Sequence, residues 1–114
     1  MPDVQLPELK KLDVAFNNLS GSIPNLKLPK LEGLDFSANQ LTGSIPAFET
    51  LTSLRELSLF SNQLTSEIPA LKSPNLNRVY LSDNQLSGPI PAFVGKLEHF
   101  YADRNQFNFS SLES

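Results

Sequence analysis

The sequence contains few side chains that could catalyse a reaction, and they do not converge on one site. His99 is the only histidine, and Tyr101 and Asp103 follow it within four positions, a spacing that would suit a general base. Nothing beside them supplies a nucleophile or a metal-binding set, since the chain has no cysteine and no second histidine. We therefore predict no catalytic residue, no metal site and no cofactor, and we do not expect an enzyme.

Asp13 and Asp35 are the other candidates for acid–base or metal chemistry. They occupy equivalent positions of a repeated motif, which would place them side by side on adjacent strands. Two carboxylates on an open sheet are more often solvated than catalytic, because no pocket encloses them. We interpret both as solvated side chains, with calcium binding as the alternative.

Composition indicates a folded domain and disfavours two classes of partner. The 114 residues fit one small domain, of which 39% are hydrophobic and 18% charged. The net charge of −3 disfavours nucleic acid, because binding to phosphates requires a basic surface. No apolar run is long enough for membrane insertion, and the first residues lack the basic and apolar segments of a signal peptide.

One motif, Leu-x-Leu-x-x-Asn-x-Leu-x-Gly-x-Ile-Pro, organises the chain. Its clearest copy runs from Leu34 to Pro46, further copies start at positions 12, 57 and 79, and a fifth at Phe100 lacks the Gly-x-Ile-Pro half. By subtraction of their numbers, its asparagines are 22, 23, 22 and 21 residues apart: Asn17, Asn39, Asn62, Asn84 and Asn105. A period of this length is typical of a solenoid of stacked coils.

Local patterns predict the secondary structure of each coil. The alternation in Leu-x-Leu is that of a strand, and five such strands stacked together would form a parallel sheet with a buried leucine face. The connecting segments are short, and Pro29 and Pro74 within them disfavour long helices. We expect 3₁₀ turns or extended backbone there, with one helical turn near residues 50–54.

These residues resemble the leucine-rich repeat family, and the Leu-x-Gly-x-Ile-Pro half resembles its plant-type subclass. The resemblance covers residues 1–109. It implies an α/β-solenoid fold that is mostly β and right-handed, with a concave parallel sheet of about five short strands and a 3₁₀ or extended convex side. We expect a single domain over residues 1–114, and the resemblance implies a secreted or cell-surface location. The short repeats and Leu-Pro-x-Leu linkers are more similar to bacterial surface proteins, and the cysteine-paired caps usual in plant receptors are missing.

The resemblance also implies structural roles for the recurring positions. The asparagine column is expected to form a buried ladder in which each amide bonds main-chain groups of the adjoining coil. Gly21, Gly43 and Gly88 would permit a tight turn. Ser66 replaces that glycine in the third full copy, where we expect local strain or a shifted turn.

Polar residues recur on a second face of the coil. A hydroxyl column that could order water or ice is formed by Ser20, Thr42, Thr65 and Ser87. Glu67 and Pro89 interrupt the column beside it, so this function is not favoured. We interpret a further column as a stabilising amide ladder: Gln40, Gln63, Gln85 and Gln106.

The outward positions of the predicted strands define a candidate binding surface on the concave sheet. Its last three coils are the richest in aromatic and arginine side chains, which are typical of interface hot spots. The candidate ligand-binding residues are Phe60, Arg78, Tyr80, His99, Tyr101, Asp103 and Arg104. The alternative is that the aromatic side chains only stack on one another along the sheet.

We predict a non-enzymatic module that binds a protein or a glycan on its concave face, as a section of a longer surface or secreted protein. The sequence starts inside a repeat, with Met1 where an isoleucine would stand, and its last copy is atypical. Three aromatic residues are placed to close the core there: Phe100, Phe107 and Phe109. The alternative function is a structural spacer without a ligand, whose exposed sheet edges would allow end-to-end self-association.

Overall fold

The computed structural model describes residues 4–108 as a stack of coils. Within this range the chain forms twelve short strands and one 3₁₀ helix. In chain order these elements are β1 (Val4–Gln5), β2 (Lys11–Asp13), β3 (Ser20–Ser22), β4 (Leu26–Lys27), β5 (Gly33–Asp35), β6 (Gln40–Ser44), β7 (Glu56–Ser58), β8 (Gln63–Ser66), β9 (Arg78–Tyr80), β10 (Gln85–Pro89), the 3₁₀ helix η1 (Ala92–Lys96), β11 (His99–Tyr101) and β12 (Gln106–Asn108).

One strand from each copy of Leu-x-Leu joins a five-stranded parallel sheet, the first sheet, in the order β11-β9-β7-β5-β2. Equivalent positions of successive copies are direct neighbours in this sheet. Two outward columns follow from that register: Lys11, Gly33, Glu56, Arg78 and His99, and beside them Asp13, Asp35, Ser58, Tyr80 and Tyr101. The prediction of a mostly β solenoid with a parallel sheet of about five strands is confirmed.

A second five-stranded parallel sheet, the second sheet, has the order β12-β10-β8-β6-β3. Its register is different, because Ser20 pairs with Gln40 and Thr42 pairs with Gln63, each two positions before the equivalent residue of the next copy. The predicted hydroxyl column and amide ladder are therefore wrong, since hydroxyl side chains lie beside glutamines. Within the described range, no hydrogen bond joins two of these glutamine side chains.

Left-handed backbone conformations occur at two positions of the coil, one between the first and second sheets and one within the strands of the second sheet. The residue before each asparagine has φ between 56° and 59°: Phe16, Ala38, Ser61, Asp83 and Arg104. A second left-handed position is occupied by Gly21, Gly43 and Gly88, with φ between 78° and 80°. Ser66 has φ of 70° at this second position, which confirms the expected local strain, because a side chain disfavours this conformation.

The connecting segments on the remaining side of the coil are irregular. Leu51 donates a backbone hydrogen bond to Phe48 (3.0 Å), and Leu54 donates one to Leu51 (3.3 Å), so two tight turns follow each other. The helical turn expected near residues 50–54 is therefore wrong, and the 3₁₀ helix lies at Ala92–Lys96 instead. A small third sheet consists of β1 and β4.

Leucines from both sheets and from the connecting segments fill the interior. Side chains without solvent exposure include Leu31, Leu41, Leu51, Leu57 and Leu64. Phe100 and Phe107 are half-buried against this core at its C-terminal end. The predictions made for Met1 and for Phe109 concern residues outside the described range.

Candidate functional site

Asparagine side chains join adjacent coils at the corner between the two sheets. Asn62 is buried, and its Nδ2 donates to the carbonyl oxygens of Phe36 (3.0 Å) and Leu59 (3.2 Å). Its Oδ1 accepts a hydrogen bond from the backbone N–H of Leu41 (3.0 Å), which belongs to β6 in the preceding coil. The same contacts recur at the two other buried asparagines, Asn39 and Asn84. The fold uses the N–H groups of these amides and buries their side chains, so they are not available to a ligand.

The asparagine column is not uniform along the chain. Asn105 accepts from Leu86 N–H (2.9 Å) but is only half-buried. Asn17 is exposed and donates only to the Val14 and Ala15 carbonyls of its own coil (2.9 and 3.1 Å). The expected burial of Asn17 is wrong, because no described strand lies on the other side of β2 in the first sheet.

Two tyrosines stack on each other at the C-terminal end of the first sheet. The ring centroids of Tyr80 and Tyr101 are 5.5 Å apart, and their planes differ by 10°. The ring of His99 stacks on Tyr101 at 6.3 Å. Tyr101 nevertheless remains 52% exposed. The structure brings these three predicted residues together, because β9 and β11 are adjacent and in register.

Phe60, the third predicted aromatic residue, is set apart from this group. It follows β7, one coil before Tyr80, and is half-buried. Within the described residues its ring stacks on neither tyrosine. Phe60 can therefore widen the apolar surface but does not belong to the stacked group.

Two carboxylates hold the guanidinium of Arg104. Its Nε and Nη2 donate to the Asp83 carboxylate, with Nη2 2.7 Å from Oδ2, and its Nη1 lies 2.6 Å from Asp103 Oδ2. The hydrogen bond from Arg104 lowers the pKa of Asp83, and one from the Ser82 hydroxyl lowers the pKa of Asp103. Arg104 and Asp103, two of the predicted binding residues, each already have a partner.

Arg78 and His99 share a carboxylate that the sequence did not single out. One oxygen of Glu98 lies 3.3 Å from His99 Nε2 and 3.8 Å from Arg78 Nη2, and the other accepts a hydrogen bond from Asn77 (3.1 Å). The Asn77 hydrogen bond is the main cause of the lowered pKa of Glu98. Glu98 belongs to a connecting segment outside the motif, so the repeat pattern did not mark it. Glu98 could have been found from the register that pairs Arg78 with His99, since this register brings residue 98 close to both side chains.

Two serines in adjacent coils are buried at the first sheet. Ser37 has no solvent exposure and Ser58 has 6%. Their hydroxyl oxygens are 2.6 Å apart, so the two coils share a hydrogen bond there. Because these hydroxyls satisfy each other, they offer no contact to a ligand.

Between residues 4 and 108 the structure contains neither a metal-binding cluster nor a membrane-spanning helix. No group of three or more His, Cys, Asp or Glu side chains between residues 4 and 108 is placed to hold a metal ion. In the same range, no helix has the length and apolar character needed to cross a membrane.

Parallel strands repeat every 21 to 23 residues in this chain, and asparagine side chains join them. One known family has this arrangement. A family model described as leucine-rich repeats (two copies) matches residues 7–50, 29–73 and 52–95. The chain belongs to the leucine-rich repeat family. No curated protein sequence matches it significantly.

Solved plant structures share both the fold and the sequence pattern. The BIR2 ectodomain from Arabidopsis thaliana is 36% identical over 85% of this chain, with a TM-score of 0.78. In the BIR3–SERK2 complex from the same plant, the matching chain is 37% identical over 85%, with a TM-score of 0.80. The Arabidopsis receptor kinase HAESA, in complex with the peptide hormone IDA and the co-receptor SERK1, is 29% identical over 87%, with a TM-score of 0.75. The repeats are therefore of the plant type.

The similarity covers only part of each of these relatives. This chain spans 55% of the BIR2 structure, 56% of the matching chain in the BIR3–SERK2 complex and 18% of the HAESA structure. It therefore establishes a shared repeat stack, and the activities of the whole relatives are not transferred by it.

Proposed function

We propose that this chain is a non-enzymatic leucine-rich repeat module that binds a protein or peptide on the C-terminal half of its first sheet. The stacked pair of Tyr80 and Tyr101 carries the proposal, because Tyr101 remains half exposed although it stacks. Tyrosine and arginine are enriched in interface hot spots, and Arg78 lies in the neighbouring column. His99 extends the same surface by stacking on Tyr101.

The structural relatives support a protein or peptide as the partner. HAESA is in complex with a peptide hormone and a co-receptor, and BIR3 is in complex with SERK2. A glycan partner, the other expectation from the sequence, stays a prediction. The BIR2 relative is an ectodomain, and by this similarity we propose a cell-surface or secreted location. The continuous core of the described coils supports the proposal of a single domain over residues 1–114.

Asp103 and Arg104 have a smaller role in this proposal than the aromatic residues. Their charges are engaged with each other and with Asp83, and all three side chains are substantially exposed. Exposed charge pairs contribute little to affinity but influence the rate and orientation of association. We therefore assign Tyr80 and Tyr101 to the centre of the contact and the Arg104 group to its rim.

A selection from random peptides tests the proposal without requiring the natural partner. Peptides displayed on phage are selected on the full chain, and the best binder is synthesised for calorimetry. Tyr80→Ser combined with Tyr101→Ser should weaken its binding at least about tenfold, because truncation of a hot-spot residue costs about 2 kcal/mol or more.

The matched control removes polar side chains from the second sheet. Gln63→Ser combined with Gln85→Ser alters two exposed residues there and should leave the affinity unchanged. If the tyrosine variant also binds the peptide unchanged while remaining folded, the site assignment is wrong.

The structural alternative, a spacer that stacks end to end, stays a prediction with a separate test. Sedimentation velocity over a range of protein concentrations distinguishes it from a monomeric binding module. A sedimentation coefficient that rises with concentration supports stacking, and a constant monomer value contradicts it.

A further inference from the structure

The N-terminal half of the first sheet carries a shallow depression with an acidic rim. Its volume is about 100 Å³, and the residues around it include Asp13, Asp35 and Glu56. Gly33 leaves its floor open, because this position of the sheet carries no side chain. Lys11 is the only cationic residue in the lining, and its Cγ would lie 3.6 Å from a β-carbon placed on Gly33.

The three carboxylates have no cationic partner within the described residues. The ion pairs found there use Glu8, Asp83, Glu98 and Asp103 instead. One oxygen of Asp13 accepts from Ala15 N–H (3.1 Å), and one oxygen of Asp35 accepts from Ser37 N–H (2.9 Å). The second oxygen of each carboxylate is left for solvent or for a ligand.

The register places two of these carboxylates against each other. Asp13 and Asp35 are direct neighbours on β2 and β5, and Glu56 on β7 lies between Gly33 and Arg78 in the next column. Like charges directly opposite one another destabilise a sheet. A bound cationic group would relieve this repulsion, so the unliganded surface is electrostatically prepared for a positive charge.

The column of Asp13 and Asp35 continues to the tyrosine pair. From Asp35 it passes Ser58 and reaches Tyr80 and then Tyr101. At about 4.8 Å between strands, the two tyrosines lie about 10 and 14 Å from Asp35. An extended peptide advances about 3.3–3.6 Å per residue, so this distance corresponds to about three or four residues.

We infer that the partner on the first sheet is an extended basic peptide segment. Its lysine or arginine enters the depression between Asp13, Asp35 and Glu56, and an aromatic or apolar residue three or four positions away packs on Tyr80 and Tyr101. This inference rests on the proposed function, because it uses the same surface and adds the charge and spacing of the partner.

Neutralising the rim tests the charge of the partner on the full chain. The peptides selected on the wild type should be enriched in lysine and arginine. Asp35→Asn and Glu56→Gln should each weaken the best binder about two- to fivefold, and added salt should weaken it further. Glu67→Gln, which removes one exposed carboxylate elsewhere, is the matched control and should have no effect.

The stability of the Asp35→Asn variant is a second measurement, and we expect it to rise while binding weakens. Asparagine can keep the hydrogen bond from Ser37 N–H while it removes the charge, so Asp35→Asn should raise the midpoint of urea unfolding as it weakens binding. A purely structural Asp35 would instead make the variant less stable.

The outcomes separate this inference from the proposed function. Peptides that depend on both tyrosines but bind equally well to Asp35→Asn and Glu56→Gln overturn the inference and leave the proposed site intact. Selected peptides that are acidic would also overturn the inference and leave the proposed site intact. Peptides unaffected by loss of the tyrosines, or a selection that yields no binder, overturn the proposed function itself.

Discussion

The two five-stranded sheets are built from the same coils, yet they pair those coils differently. In the first sheet, paired residues are 22, 23, 22 and 21 positions apart, which equals the spacing of the asparagines. In the second sheet the corresponding separations are 20, 21, 20 and 19. Residues at equivalent positions of the repeat are therefore neighbours in the first sheet and are displaced by two residues in the second.

The change of register occurs at the corner where the asparagines lie. There the backbone N–H of Leu41, in the second sheet, donates to the Asn62 side chain instead of to a carbonyl of a neighbouring strand. The left-handed residue Ser61 directly precedes that asparagine. A side-chain amide can bridge two strands that are not aligned, which lets each sheet keep its own register.

The largest effect is expected from removing one of the asparagine side chains at the corner between the two sheets. Asn62→Ala leaves the Leu41 N–H without its partner and removes two donors from buried carbonyls. We expect the free energy of unfolding to fall by about 3 kcal/mol, because buried unsatisfied groups retain their desolvation cost. Urea unfolding followed by circular dichroism measures it.

Asn17→Ala is the matched control for the corner amide. Asn17 is exposed and contacts only its own coil, so its removal should cost about 1 kcal/mol or less. Equal losses in the two variants would show that the bridge between coils is not what makes the interior asparagines stabilising.

The comparison of the sheets also explains which features the sequence could predict. The Tyr80–Tyr101 neighbourhood follows from the repeat period, because the first sheet pairs its strands in phase with it. The Gln40 and Thr42 columns could not be predicted, since the displacement by two residues arises from the three-dimensional corner. A period in sequence assigns lateral neighbours only where the strand register equals the period.

Within the candidate site, the limits of prediction have a different cause. Glu98 contacts the predicted Arg78 and His99, and Asp83 contacts the predicted Arg104. Long, flexible side chains can reach several partners, so the sequence does not determine these pairs. The repeat pattern fixes where a backbone position lies and does not fix the rotamer. The burial of Ser37 could not be predicted for a related reason, because its hydroxyl pairs with that of Ser58 in the next coil.

The second way to test the comparison is to add a methyl group to a glycine of the second sheet. Gly88 and Gly21 both have φ near 80°, so alanine is strained at either position by about 1–2 kcal/mol. A β-carbon on Gly88 would also collide with the Glu67 side chain, whereas one on Gly21 meets nothing within 4 Å. We expect Gly88→Ala to cost about 2 kcal/mol and Gly21→Ala about 1 kcal/mol in urea unfolding.

Glu67→Ala separates the two contributions at Gly88. In the Glu67→Ala background the side chain that meets the new methyl group is gone, so Gly88→Ala should cost only as much as Gly21→Ala. If the cost at Gly88 is unchanged in that background, the contact with Glu67 is not its source.

The smallest expected effect is a gain in stability at Ser66, which within residues 4–108 is the left-handed position of the second sheet that lacks glycine. Ser66 has φ of 70°, and β8, which it ends, is four residues long, whereas β6 and β10 have five. Ser66→Gly relieves the left-handed strain but increases the entropy of the unfolded chain, so we expect a net stabilisation of about 0.5–1 kcal/mol. Ser44→Gly, at a position without positive φ, should instead destabilise by about 0.5–1 kcal/mol in the same urea assay. A loss of stability in Ser66→Gly would mean that the serine side chain contributes more to the second sheet than its backbone strain costs.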